Sequence, residues 1–302
     1  FGHVGQAFFP QHDVEPLIGF ANASTCRSLL AVLSPTLHFE AGQLASLPIV
    51  HTTSAQHDRS ITQRLMDILK DDWNAYETSW GFQTSPLIKR SQSGGSLHDA
   101  LECWWQDSLH AAPEAQELET ENNRYWSEVY GLQDEVPIEV PLSRVSLTSN
   151  PYFRYAPTVR TDEEYRRLFT VDAVRDLISY GVGCLFGRYS LDTPGLVLAD
   201  QGSSIQDFLD VVPNPTFTPD EDGVIPITSG EWFTDDIVTR FRSFLAAAFD
   251  KEHLEANLRL LEDSLGKSLR QYFVKDFYKD HCRRYSNRPI YWMLSSRPDN
   301  KA

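Results

Sequence analysis

The residues with the most evident chemical potential lie where bases meet aromatics. Between Lys267 and Arg288 the rings of Tyr272, Phe273, Phe277, Tyr278 and Tyr285 alternate with cations. Lys275, Lys279 and Arg283 recur every four residues, the interval that sets side chains on one face of a helix. With Arg284 and Arg288 beside them, such a stripe could neutralise nucleic-acid phosphates or meet an acidic partner. An ordinary solvated face over an aromatic core would have the same pattern.

Other candidates resolve toward structural roles. Gly181-Val182-Gly183-Cys184-Leu185-Phe186-Gly187-Arg188 superficially suggests a phosphate-binding loop. Its third glycine is one residue late for the dinucleotide pattern, no Gly-Lys-Ser/Thr follows, and Ala173 to Tyr180 is helical in pattern, so tight helix packing is the better reading. The acid pairs Asp71-Asp72, Asp134-Glu135, Glu163-Glu164 and Asp235-Asp236 sit at helix starts or on polar faces and read as capping or solvated groups. None of the nine histidines has a metal-ligand spacing, and no metal site is expected. Trp73, Trp80, Trp104, Trp105 and Trp126 load the middle of the chain with aromatics. Core packing is their default role; a surface that docks a missing domain or partner, built on Trp73, Trp80, Trp104 and Trp105, is the functional alternative.

Helices must position most of these residues. Apolar spacing predicts helices over 16–34, from Asp58 to Tyr76, over 97–110 and from Pro113 to Tyr130, where Gly131 fits the stop. An extended connector is expected over 136–157, with a domain boundary near Thr148. Helices are expected over 162–168, 171–186, from Asp235, over 252–265 and over 267–285. Leu196-Val197-Leu198 reads as a short strand, 213–231 as loop and edge structure, and Pro289 to Leu294 as a strand that lacks a partner or pairs backward. The start at Phe1 and the finish at Ala302 read as cuts in a longer protein.

Composition bounds the function. The 302 residues are 41% hydrophobic and 12% aromatic, as in a globular protein, and no apolar run suits a bilayer span. Cys26, Cys103, Cys184 and Cys282 are widely spaced, which suits reduced, structural thiols in a cytoplasmic protein. The net charge of −15 argues against a free-standing nucleic-acid binder. Yet Lys267 to Lys301 holds nine Lys or Arg against three acids, leaving −21 on the remainder, so any polyanion contact concentrates there.

Several strings, in order along the chain, carry a resemblance. They are Asp71-Asp72-Trp73-Asn74-Ala75-Tyr76-Glu77-Thr78-Ser79-Trp80, Tyr130 to Glu135, Ser179 to Asp192, Ile225-Pro226-Ile227 with Trp232 to Ile237, and Asp276 to His281 with Arg288-Pro289-Ile290-Tyr291-Trp292. Together they resemble the C-terminal half of the adenine-specific DNA methyltransferases of BREX phage-defence systems, the PglX type. Leu33 to Phe39 and Leu47-Pro48-Ile49 are similar to the close of that family's target-recognition region, which adds Arg27 and His38 to the candidate nucleic-acid contacts. The resemblance implies an α+β but predominantly helical architecture with a few short strands. Residues 1–50 would end the recognition region, 51–147 would form a helical spacer, and 148–302 a truncated C-terminal domain. It further implies double-stranded DNA and other BREX components as partners, and S-adenosylmethionine as the parent enzyme's cofactor. The family's Asn-Pro-Pro-Tyr-type motif does not occur in this chain, so no catalytic residue is assigned and no cofactor is expected here. The alternative is a module that docks other defence subunits without touching DNA.

Overall fold

A computed structural model describes residues 14–33, 41–50, 55–91, 95–200 and 202–294. The chain forms two compact units, one from residues 1–72 with 108–159, the other from 73–107 with 160–302. The helices are α1 (Val14–Asn22), α2 (Ser24–Leu33), α3 (Ala41–Ala45), α4 (Ala55–Asn74), α5 (Pro86–Ser91), α6 (Leu97–Tyr130), α7 (Pro151–Arg154), α8 (Asp162–Leu185), α9 (Ile205–Val211), α10 (Ile237–Ala248), α11 (Leu254–Leu265), α12 (Leu269–Lys275) and α13 (Phe277–Arg284).

In the first unit the single helix expected over 16–34 is two, α1 and α2, which meet at 69°. The bend is stabilised from outside. Asn122 of α6 donates from Nδ2 to the Gly19 carbonyl at 2.9 Å, and Asn123 Oδ1 accepts from the Ser24 N–H at 2.8 Å. Two backbone groups that a helix end leaves without partners are thereby satisfied. Phe20, Ala23, Cys26 and Leu30 pack on Trp126. A second cluster joins Ile68 of α4, Ala112 and Ala115 of α6, and Val145 and Leu147 of the connector.

In the second unit α8 is the central helix, with α10 and α11 packed against it. It begins on a capping box, Thr161 with Glu164, and runs unbroken where two helices were expected. Phe241 and Phe244 of α10 are fully buried. Trp104 and Trp105 pack on Phe169 with ring centroids 5.1 and 5.3 Å apart.

Pro113 likewise does not divide α6, which is continuous over 34 residues. A helix-interior proline costs about 3 kcal/mol. Here Ala112 and Ala115, 2% and 1% exposed, are held in the core on either side, and the proline itself is exposed.

The expected short strands are absent among the described residues, and the cause is common to them. Where the chain is extended, side chains and the carbonyls of the turn after α8 take the backbone bonds that a neighbouring strand would otherwise provide. Val197 and Leu198 donate to the carbonyls of Arg188 and Gly187 at 2.9 and 3.1 Å. In the 289–294 run, Ile290 and Tyr291 donate to His281 Nε2 at 3.0 and 3.3 Å. The 136–150 connector is fastened in the same way. Gln116 and Asn123 donate to the carbonyls of Val140 and Ile138, and both oxygens of Asp72 accept from the Thr148 and Ser149 N–H groups at 2.6 and 2.8 Å.

Candidate nucleic-acid interface

The basic segment does not form the continuous helix that its spacing suggests. Gly266, in the left-handed region at φ 66°, ends α11, and the chain breaks again between α12 and α13 at Asp276, φ −123°. Lys267 Nζ reaches Asp276 Oδ2 at 2.6 Å. Lys275 therefore closes α12, while Lys279 and Arg283 share α13. All three are exposed, as is Arg288. Ahead of Arg288 lie two residues with left-handed backbone, Ser286 and Asn287, at φ 52° and 61°. Arg284 points the other way: its side chain is 16% exposed and pairs with Asp176 at 2.6 Å.

A cleft of about 210 Å³ opens beside these helices, with Arg175, Lys267, Lys279 and Arg283 around Asp276 and Asp280. Asp280 is the shared anchor. It accepts from the Tyr272 hydroxyl at 2.9 Å and lies 3.5 Å from both Arg175 and Arg283. Four cations against two carboxylates leave the cleft positive, able to take an anion without new ionisations. Arg175 was not legible as a member because it lies on α8; Lys267 was read as the start of the basic segment, but Gln271 interrupts the repeat that singled out Lys275, Lys279 and Arg283.

Of the other expected contacts, Arg27 is exposed on α2 in the first unit, and His38 lies outside the described residues. Trp73 and Trp80 are 61% and 100% exposed. Trp104 and Trp105, expected on that same docking surface, are core residues at 5% and 6%.

The second unit also holds a buried polar network made largely by the strings that carried the family resemblance. Glu77, 8% exposed, accepts from the Ser179 hydroxyl at 2.6 Å, and its other oxygen is buried without a partner. Burial, and then the Glu77 charge, raise the Tyr189, Tyr285 and Tyr291 hydroxyls above the usual phenol range, so all three stay protonated. His281 is held neutral, its pKa lowered to about 4 by burial and by the nearby Arg284 and Arg188 cations. Its Nε2 accepts the two backbone N–H groups, which assigns the proton to Nδ1. Tyr291 stacks on His281 and Phe186 with centroids 5.0 and 4.6 Å away. Asp236, another residue from these strings, caps α10 through Thr239 and pairs with Arg270 at 2.6 Å. Burial pushes its carboxyl up, but those donors outweigh it and leave it below the usual range.

The glycine run is helix packing. A Cβ on Gly181 would stand 2.5 Å from the Phe241 ring, and one on Gly183 2.5 Å from Tyr189. These two glycines lie inside α8 with their space filled by rings, so they cradle neither a phosphate nor S-adenosylmethionine. Among the described residues no three His, Cys, Asp or Glu side chains gather as a metal site. None of the described helices alone is long and apolar enough to cross a membrane.

No family model matches the chain. Over 98% of its length it is 31% identical to the adenine-specific methyltransferase BrxX of Escherichia coli O9:H4 (strain HS). Over 92% of its length it is 34% identical to the adenine-specific methyltransferase PglX of Lacticaseibacillus casei (strain Zhang). The matches occupy 25% and 22% of those proteins, so the chain spans about a quarter of the length of these relatives.

Proposed function

Because the chain is a homologue of part of the adenine-specific methyltransferases BrxX and PglX, we propose that it is a C-terminal DNA-recognition and scaffold portion of a site-specific adenine-N6 DNA methyltransferase of BREX phage defence. In this reading residues 1–50 end a target-recognition region, 51–147 are a spacer and 148–302 a C-terminal domain. Methyl transfer from S-adenosylmethionine then takes place elsewhere in the parent enzyme, in the cytoplasm. The observation that carries the DNA assignment is the exposed set Lys275, Lys279, Arg283 and Arg288 beside a cleft of net positive charge. Removing any cation that neutralises a phosphate should weaken binding and flatten its salt dependence. Fluorescence anisotropy of the whole methyltransferase on duplex DNA tests this. Charge reversal at Lys275, Lys279 and Arg283 should raise Kd by about tenfold or more near 0.1 M salt; an unchanged Kd rejects the assignment.

One observation favours a second reading, docking of other defence components. Trp73 and Trp80 present large aromatic surface to solvent, an arrangement common at binding sites. Pull-down of those components with Trp73→Ala and Trp80→Ala should lose capture. Full capture by both folded variants would eliminate that surface.

A further inference from the structure

The first unit encloses a cavity of about 290 Å³ walled by α1, α2, α4, α6 and the connector. Of the residues expected to bind nucleic acid, it contains only Arg27. Four polar side chains in its wall are buried, Ser24, Thr62, Asn122 and Asn123, at 7%, 2%, 4% and 7% exposure, and Asn123 is already satisfied by the Ser24 N–H and the Ile138 carbonyl. The Ser24 and Thr62 hydroxyls and the Asn122 Oδ1 have no hydrogen-bond partner. Asn122 Nδ2 is committed to the Gly19 carbonyl, so its free atom is the acceptor. Buried polar atoms left unpaired are uncommon and destabilising. Three in one wall define a surface made for a guest that both donates and accepts hydrogen bonds.

The rest of the wall narrows the guest. Leu65 and Met66 add apolar surface, while Arg27 and Arg144 stand exposed at the rim. The cavity volume corresponds to roughly ten waters, within the lower range of small-molecule sites. An apolar guest would leave the three polar atoms unpaired, and a simple anion would use the arginines alone. A free amino acid would bring its ammonium into a wall whose one partly buried carboxyl, Glu119, is raised by burial and so resists ionising. A planar heterocycle bearing N–H donors and a phosphate group uses the unpaired polar atoms, the apolar wall and both arginines, and the exposed Glu139 carboxylate of the lining is left to solvent.

We propose that this cavity is a nucleotide site, in which the heterocycle lies against Leu65 and Met66 and bonds Ser24, Thr62 and Asn122, and the phosphate meets Arg27 and Arg144. The inference does not rest on DNA binding by the basic segment, since the charge reversals there change none of these residues. Isothermal titration of the full protein with adenosine monophosphate, adenosine, inorganic phosphate and free leucine tests it. Thr62→Val, which keeps the shape and removes the unpaired hydroxyl, should weaken adenosine monophosphate and adenosine at least fivefold without lowering the melting temperature. Arg27→Ala should weaken adenosine monophosphate alone. No heat with adenosine monophosphate overturns the proposal, as does binding equal in wild type and both variants, which places the nucleotide at another site. Tighter binding of inorganic phosphate, or of free leucine, than of adenosine monophosphate also overturns it.

Discussion

His281 illustrates how one side chain can do the work of a strand. Its Nε2 takes two backbone N–H groups from the 289–294 run, and that acceptor exists only on the neutral ring. The folded pKa of about 4 lies below the ordinary value of 6.5, so between those two pH values the unfolded chain binds more protons than the folded one. The stabilisation is therefore complete above pH 6.5 and lost progressively as pH falls toward 4, by on the order of 3 kcal/mol in all. Urea denaturation at pH 7 and pH 5 should show this loss, and His281→Gln, which keeps an acceptor but cannot titrate, should flatten it; an equal slope in the variant would refute the assignment. Asp236 makes a parallel case. Replacing it by Ala leaves the Arg270 guanidinium without its carboxylate and α10 uncapped, and should cost about 3–5 kcal/mol in the same denaturation assay.

At the scale of elements, helices were legible and their breaks were not. The spacing of Ile61, Leu65, Ile68 and Leu69 announced α4, and Asp236 lies one residue from the expected start of α10. The break at Ala23 depends on partners far along the chain. Asn122 and Asn123 are about a hundred residues from the bend they stabilise. The connector is likewise held by Asp72, so Asp72→Ala should leave the Thr148 and Ser149 N–H groups unpaired and lower stability by about 1–3 kcal/mol, with faster proteolysis near residue 148. Gly181→Ala should destabilise by a similar 1–3 kcal/mol, read as a fall in melting temperature, because its methyl would meet Phe241 and Phe244.

At the scale of the whole molecule, the charge pattern matters more than its total. In a net −15 chain carrying an exposed basic segment, duplex-DNA binding should run through that segment and depend steeply on salt. The slope of log Kd against log salt for the parent enzyme, with and without charge reversal at Lys275, Lys279 and Arg283, measures how many phosphates the segment neutralises.

The family, the helical character and the basic segment were all readable from residue order, because periodicity, composition and motif strings are local properties. Tertiary structure alone decided which of those residues meet solvent and which meet one another. Trp73 and Trp104 are both tryptophans in helical runs, yet one is exposed and the other packs on Phe169. Lys279 and Arg284 are both cations on α13, yet one faces the cleft and the other is committed to Asp176. Glu77, Ser179 and the His281–Tyr291 pair come from three separate strings, and folding gathers them into one buried neighbourhood. No local pattern encodes that convergence, since burial and pairing are set by contacts between segments a hundred or more residues apart.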